Sequence, residues 1–264
     1  MTAFLIDMDG VLYRGDHVIA GAQAFLESIH AFPHVFLTNN SSQPPEFFRK
    51  RMQGLGLPVA DDAPLITSAM ATARYLANTQ PGFRYFAVGG QGLRLALGEV
   101  GVPADDYVDF VVVGEGPGLD YDSLIQGGNL LLDGARLIAT NPDANVDHGD
   151  FVLPGGGALL APFEVMSGQR ARVIGKPEAP LFEAGLAALT TMGETGLAAT
   201  QTIMVGDRPD TDILGASRLG MKTLLVRTGR FGPDDTYPDS LPRPTWDVAD
   251  LRDWLPTLQS LASS

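Results

Sequence analysis

The sequence predicts an α/β protein: a doubly wound, Rossmann-like parallel sheet with a second α/β unit inserted into it. Three observations carry this expectation. Short apolar runs alternate with stretches of helical periodicity along the whole chain. Each apolar run ends in polar or glycine-rich residues. Turn signals at Gln80-Pro81-Gly82 and Ser167-Gly168 bracket a middle region with its own strand–helix alternation.

The core strands expected are Phe4–Ile6, Val35–Leu37, Leu65–Ile66, Thr202–Val205 and Thr223–Val226, with helices at Ala20–His30, Pro45–Leu55 and Ala179–Met192. In the middle region, Arg84–Val88, Phe110–Val113 and Arg136–Ala139 read as strands, with helices at Gln91–Val100 and Tyr121–Leu131. The expected division is therefore a core domain of residues 1–80 and 171–264, and an inserted domain of residues 81–170. Thr245–Leu261 reads as a last short strand or turn followed by a surface helix.

At 264 residues and 45% hydrophobic content, the chain suits one large domain or two of ordinary size. The net charge of −13 disfavours nucleic acid as a partner, because the single basic run, Arg49-Lys50-Arg51, falls in an expected helix, where it solvates one face. An acidic protein that handles anions needs a local positive device: a metal ion, a lysine or a helix N-terminus. The absence of cysteine excludes disulfides, thiolate metal sites and a cysteine nucleophile, and fits a reducing compartment. With no secretion signal at the N-terminus and no apolar run of about 18 residues, the expectation is a cytoplasmic protein with no membrane partner.

Four strand ends carry the candidate chemistry. In Phe4-Leu-Ile-Asp-Met-Asp-Gly10, residues i and i+2 of an extended chain point the same way, so Asp7 and Asp9 can face one site, and Gly10 lets the chain leave sharply. Two oxygens from this segment and one distant carboxylate would suit Mg²⁺. Alone, such a pair reads first as a solvated strand end with a turn. Val35-Phe-Leu-Thr-Asn-Asn-Ser-Ser42 delivers the Thr38 hydroxyl and the amides near Asn39 and Asn40, which can bind phosphate oxygens or simply form a turn. Arg172-Val-Ile-Gly-Lys-Pro-Glu178 places Lys176 at the start of a helix, but Pro177 stands where a phosphate-binding P-loop requires Ser or Thr. Ile203-Met-Val-Gly-Asp-Arg-Pro-Asp-Thr-Asp-Ile213 ends in Asp207 and Asp212, with helix capping the alternative role for Asp210 or Asp212.

Taken together and in this order, DMDGV, TNNSS, GKP and GDRPDTDI resemble the four motifs of the haloacid dehalogenase superfamily of phosphatases. The TNNSS and GDRPDTDI forms, the α/β insertion, and the segments Ile138–Asp143 and Leu153–Ala158 are similar to its NagD-like, 4-nitrophenylphosphatase branch, whose cap is of the C2 type. The resemblance implies a Mg²⁺-dependent phosphoric monoester hydrolase acting on a small phosphorylated metabolite. It gives Asp7 the role of nucleophile, forming an aspartyl-phosphate, and Asp9 that of general acid and then base. The metal would be held by Asp7, the Asp9 carbonyl, Asp207 and Asp212. Thr38 would hold the phosphoryl group with Asn39 and Asn40, Lys176 would stabilise nucleophile and phosphate, and Asn141 and Asp143 would lie on the cap face that closes over the core. Because caps of this kind often dimerise, a homodimer is among the expected states.

A dianionic ester is repelled by clustered acids, so Mg²⁺ and Lys176 must offset the charge. Burial of Asp7 and Asp9 together would raise the pKa of Asp9, which suits an acid, while the metal opposes this. A phosphotransferase or mutase of the same superfamily is the main alternative. A phospho-acceptor signalling domain usually fits in about half this length. Val88-Gly-Gly-Gln-Gly92 lacks the third glycine of a dinucleotide fingerprint, and Gly215-Ala-Ser-Arg-Leu219 fails as a serine hydrolase elbow.

Overall fold

The computed structural model describes residues 2–148, 151–191 and 198–262. By internal packing the chain forms two compact units. The first comprises Met1–Thr38, Glu46–Ile66 and Pro177–Ser264, and the second comprises Asn39–Pro45 and Thr67–Lys176.

The first unit is built on a six-stranded sheet. Its order is Trp246–Val248, Lys222–Val226, Thr202–Gly206, Ala3–Asp7, His34–Thr38 and Leu65–Thr67. Ala3–Asp7 pairs parallel with Thr202–Gly206 on one side and with His34–Thr38 on the other. All five residues of Ala3–Asp7 and all five of Thr202–Gly206 are buried, the signature of strands covered on both faces. The helix Ala22–Ile29 covers one face through Ala22, Phe25, Leu26 and Ile29, a stripe at helical spacing. Phe4 is fully buried beneath it and meets Phe25, Phe32 and Trp254 edge-on, with ring centroids 6.1, 5.6 and 6.1 Å away. Ala179–Thr191 packs against the strands Ala3–Asp7 and His34–Thr38.

The second unit has a five-stranded sheet in the order Arg172–Val173, Arg136–Ala139, Phe110–Val113, Arg84–Val88 and Val102–Pro103, paired parallel throughout. Phe110–Val113 is the central strand and is buried at all four residues. Helices Ser68–Thr79 and Gln91–Gly98 pack together, as do Tyr121–Leu132 and Gly156–Ser167. The segments Thr67–Gln80 and Ala171–Lys176, which the sequence reading keeps with the core, pack with this second unit.

Three elements lie outside those the sequence reading assigns. Ser68–Thr79, to which the sequence reading assigns no element, is a helix capped by Thr67, whose Oγ1 accepts the Met70 N–H at 3.2 Å. The polar stretch Thr140–His148 contains an unassigned strand, Asn145–His148, paired antiparallel with Phe151–Pro154. The glycine run Gly155–Gly157 leads into the helix Gly156–Ser167. A Cβ at Gly155 or Gly157 would collide with the carbonyls of Asp143 and Pro142, so glycine lets this helix end approach the Asn141–Asp143 backbone.

Among the described residues no helix is long and apolar enough to cross a membrane. Removing the Phe4 ring leaves a cavity among three aromatic partners. Phe4→Ala is expected to destabilise the first unit by about 3–5 kcal/mol, read as a lower urea midpoint at an unchanged slope.

Candidate active site

The sheet of the first unit gathers its polar residues at one edge. Parallel strands all end on the same side, and Ala3–Asp7 lies between its two neighbours, so Asp7, Thr38 and Asp207 emerge at adjacent carboxyl ends. Asp7 is 8% exposed, Thr38 7%, Asp207 3% and Asp212 0%. One carboxylate oxygen from each of Asp7, Asp207 and Asp212 lies within 4.8 Å of the other two. Three carboxylates buried this closely repel one another unless a cation joins them. The all-oxygen donor set matches a hard divalent ion such as Mg²⁺ or Ca²⁺, not a thiolate- or imidazole-seeking metal.

The backbone around this triad is fitted to it. Asp207 Oδ2 accepts the Arg230 N–H at 2.7 Å, which orients the carboxylate. Thr228 Oγ1 donates to the Gly10 carbonyl at 2.7 Å, tying the loop after Lys222–Val226 to the turn after Ala3–Asp7. Gly10 has φ +83°, and a Cβ there or at Gly229 would collide with the Asp207 carboxylate. Asp212 sits in the helical turn Pro209–Ile213, where its Oδ2 accepts the Arg208 N–H at 3.1 Å. It therefore caps that turn as well as facing the other acids. Asp210 does not cap: it is bound by the Arg208 guanidinium at 3.2 and 2.9 Å.

Asp9 departs from one expectation. The strand stops at Asp7, the chain turns with Leu12 N–H donating to the Met8 carbonyl at 2.8 Å, and Asp9 is exposed. Its carboxylate is not among the three clustered acids. Tyr13, unremarked in the sequence, is buried beside this turn. Its phenol is held well above the ordinary range by burial first and then by Asp9 and Asp7, with Arg51 opposing.

The remaining expected residues lie in the second unit. Asn39 and Asn40 are half-buried; the Asn40 side chain closes a local turn, accepting the N–H and hydroxyl of Ser42 at 2.9 and 2.8 Å. Lys176 is 3% exposed, Asn141 0% and Asp143 8%. Asn39 binds the Lys176 main chain and also Asp143, and Asn141 binds the Asn39 carbonyl. An open pocket of about 320 Å³ on this unit, lined in part by Tyr85, Arg94 and Asp105, contains none of these residues.

Sequence reasoning missed Gly229 and Arg230, whose TGR run follows a strand without any chemical signature, and Glu115, which looked like part of a polar loop.

A haloacid dehalogenase-like hydrolase model matches residues 4–103, and an HAD-hydrolase-like model matches residues 173–254. An acid sugar phosphatase from Staphylococcus aureus is 34% identical over 261 residues, covering 97% of this chain and 98% of that protein. The structure of NagD from E. coli K-12 superposes with a TM-score of 0.84 at 34% identity, over 95% of this chain and 98% of that one. A glycerol phosphate phosphatase from Mycobacterium tuberculosis, solved with calcium, gives 0.82 at 29% identity, over 95% of this chain and 73% of that one. Likeness of this extent, on a sheet that delivers its acids where the motifs require them, decides the family: the chain belongs to the haloacid dehalogenase superfamily, as a phosphatase of its NagD-like branch.

Proposed function

We propose that this phosphatase is Mg²⁺-dependent and hydrolyses small phosphate monoesters through an aspartyl-phosphate on Asp7. The observation that carries the reading is the buried Asp7–Asp207–Asp212 triad. The Asp7 carboxylate attacks phosphorus in line, and the bond to the alcohol oxygen breaks as the new O–P bond forms. Asp9 gives its proton to the departing oxygen. It then takes one from the water that attacks the aspartyl-phosphate, releasing phosphate and restoring Asp7. Exposure of Asp9 suits this task, since a group that cycles its proton must reach both a leaving group and water.

Asp7, the Asp9 carbonyl, Asp207 and Asp212 would hold the Mg²⁺, which would supply Lewis-acid neutralisation of the phosphoryl oxygens. Thr38, with amides at Asn39 and Asn40, binds those oxygens, and Lys176 offsets their charge. Monoester hydrolysis is so slow in water that accelerations up to about 10²¹-fold are on record, so such neutralisation is indispensable.

The segment 81–170 serves as a cap that selects the alcohol and excludes water, with Asn141 and Asp143 on its working side. The relatives named for acid sugar and glycerol phosphates support a hydroxyl-rich leaving group. A metabolite panel tests this: sugar and polyol phosphates should be released faster than pyridoxal phosphate or nucleotides.

Asp7→Asn should lower turnover of 4-nitrophenyl phosphate by at least about 10³-fold, and chelation should abolish it until Mg²⁺ is restored. Wild-type turnover by a contaminant-free Asp7→Asn protein would sink the covalent mechanism. Gly229→Ala, which pushes on the Asp207 carboxylate, should weaken Mg²⁺ binding by about 10–100-fold in calorimetric titration, with unchanged circular dichroism.

A further inference from the structure

A chain of buried polar groups runs through the second unit from Glu115 to Lys176. Glu115 is 4% exposed, just beyond the strand Phe110–Val113. Its N–H donates to Ser41 Oγ at 2.8 Å, and Thr140 Oγ1 donates to the same oxygen at 2.9 Å. Its Oε1 accepts one amide hydrogen of Asn141 at 2.8 Å. The other Asn141 amide hydrogen goes to the Asn39 carbonyl at 2.7 Å, and Asn141 Oδ1 accepts the Asp143 N–H at 3.0 Å. Asn39 then grips Lys176 by its main chain. Its Oδ1 accepts the Lys176 N–H at 2.7 Å, and its Nδ2 donates to the Lys176 carbonyl at 3.1 Å and to Asp143 Oδ2 at 2.9 Å.

Every polar side-chain atom of Asn39 and Asn141 is thus spent inside the protein. Such networks hold one geometry when all their members are satisfied and fail together when one is removed. Glu115 is the terminal acceptor of this one.

We propose that Glu115 is a positioning residue: by accepting the Asn141 amide it holds Asn39, and through Asn39 the main chain of Lys176, in a single geometry. The inference rests on the reading of Lys176 as the residue that offsets phosphate charge. In support, burial and then Asp143 push the Glu115 carboxyl up to about 8, against the hydrogen bonds from Asn141 and Ser41. Asp143 is the charged side chain that bears on it; Ser41, Thr140 and Asn141 are neutral, and Lys176 joins through its main chain. A neutral carboxyl therefore serves the network at pH 7, and ionisation near pH 8 creates a buried charge beside Asp143. The folded-state value lies above the ordinary 4.5, so the stability this group contributes is complete below about 4.5 and is lost as pH rises through about 8.

The test compares wild type, Glu115→Gln and Glu115→Leu from pH 6 to 9. It measures 4-nitrophenyl phosphate kinetics with saturating Mg²⁺, and observes the Lys176 backbone amide by NMR. Glu115→Gln keeps the acceptor oxygen and should hold kcat at pH 7 within about 3-fold, while losing a wild-type alkaline fall centred near pH 8. Glu115→Leu should lower kcat by roughly 10–100-fold with little change in KM, and should speed hydrogen exchange at the Lys176 amide. In wild type that amide should titrate near pH 8; in Glu115→Gln it should not. An amide with no such titration in wild type, or with unchanged exchange in Glu115→Leu, overturns the relay. Wild-type kcat in Glu115→Leu overturns its bearing on the reaction. Full activity in Lys176→Ala instead overturns the assigned role of Lys176, an outcome the amide measurements keep separate.

Discussion

Mutual repulsion among Asp7, Asp207 and Asp212 is the constraint around which the first unit is arranged. Three carboxylates, each nine-tenths or more buried, share a few ångströms beside the carboxyl ends of largely apolar strands. In a medium of low polarity such a cluster costs more than any nearby hydrophobic contact returns. A hard cation turns that cost into an affinity. The flanking backbone reflects the same demand: the Arg230 N–H takes one oxygen of Asp207, the Arg208 N–H takes one of Asp212, and glycines at 10 and 229 clear the space between. A site that gathers three buried acids has to solve this electrostatic problem before it solves any chemical one.

The parallel sheet is what makes the arrangement compact. Asp7, Thr38 and Asp207 are far apart in sequence yet sit on neighbouring strands that end on one side. The second unit shows a different solution to placing a charge. Lys176 leaves a short edge strand, and its backbone is fixed by an asparagine side chain that imitates a strand partner, accepting its N–H and donating to its carbonyl.

Much of this was legible in the sequence, and the reasons are physical. Strands such as Phe4–Ile6 and Val35–Leu37 announced themselves because doubly covered strands must be continuously apolar, and their polar ends marked the working edge. The bounds of Arg84–Val88, Phe110–Val113 and Arg136–Ala139 were readable for the same reason. The helix Gly156–Ser167 was hidden because its first residues were chosen for close backbone approach, so glycine outweighed helical preference there. The exposure of Asp9 was not legible because the extended chain ends at Asp7, two residues before the i, i+2 spacing requires. Glu115 and the Arg230 N–H were invisible for a further reason: what they do depends on partners dozens of residues away, and a main-chain donor leaves no trace in the choice of side chain.

The order of the strands has a consequence for how the protein is made. Ala3–Asp7 is synthesised first, but one of its two sheet neighbours, Thr202–Gly206, emerges from the ribosome only after the whole of the second unit. The first strand must wait with one edge unpaired, a state prone to wrong pairing. Asp7 waits with it, because Asp207 and Asp212 arrive on that same late segment. The nascent chain therefore never carries the acid triad in isolation: the charges come together in the step that closes the sheet, so that completion of the fold and competence to bind metal are a single event.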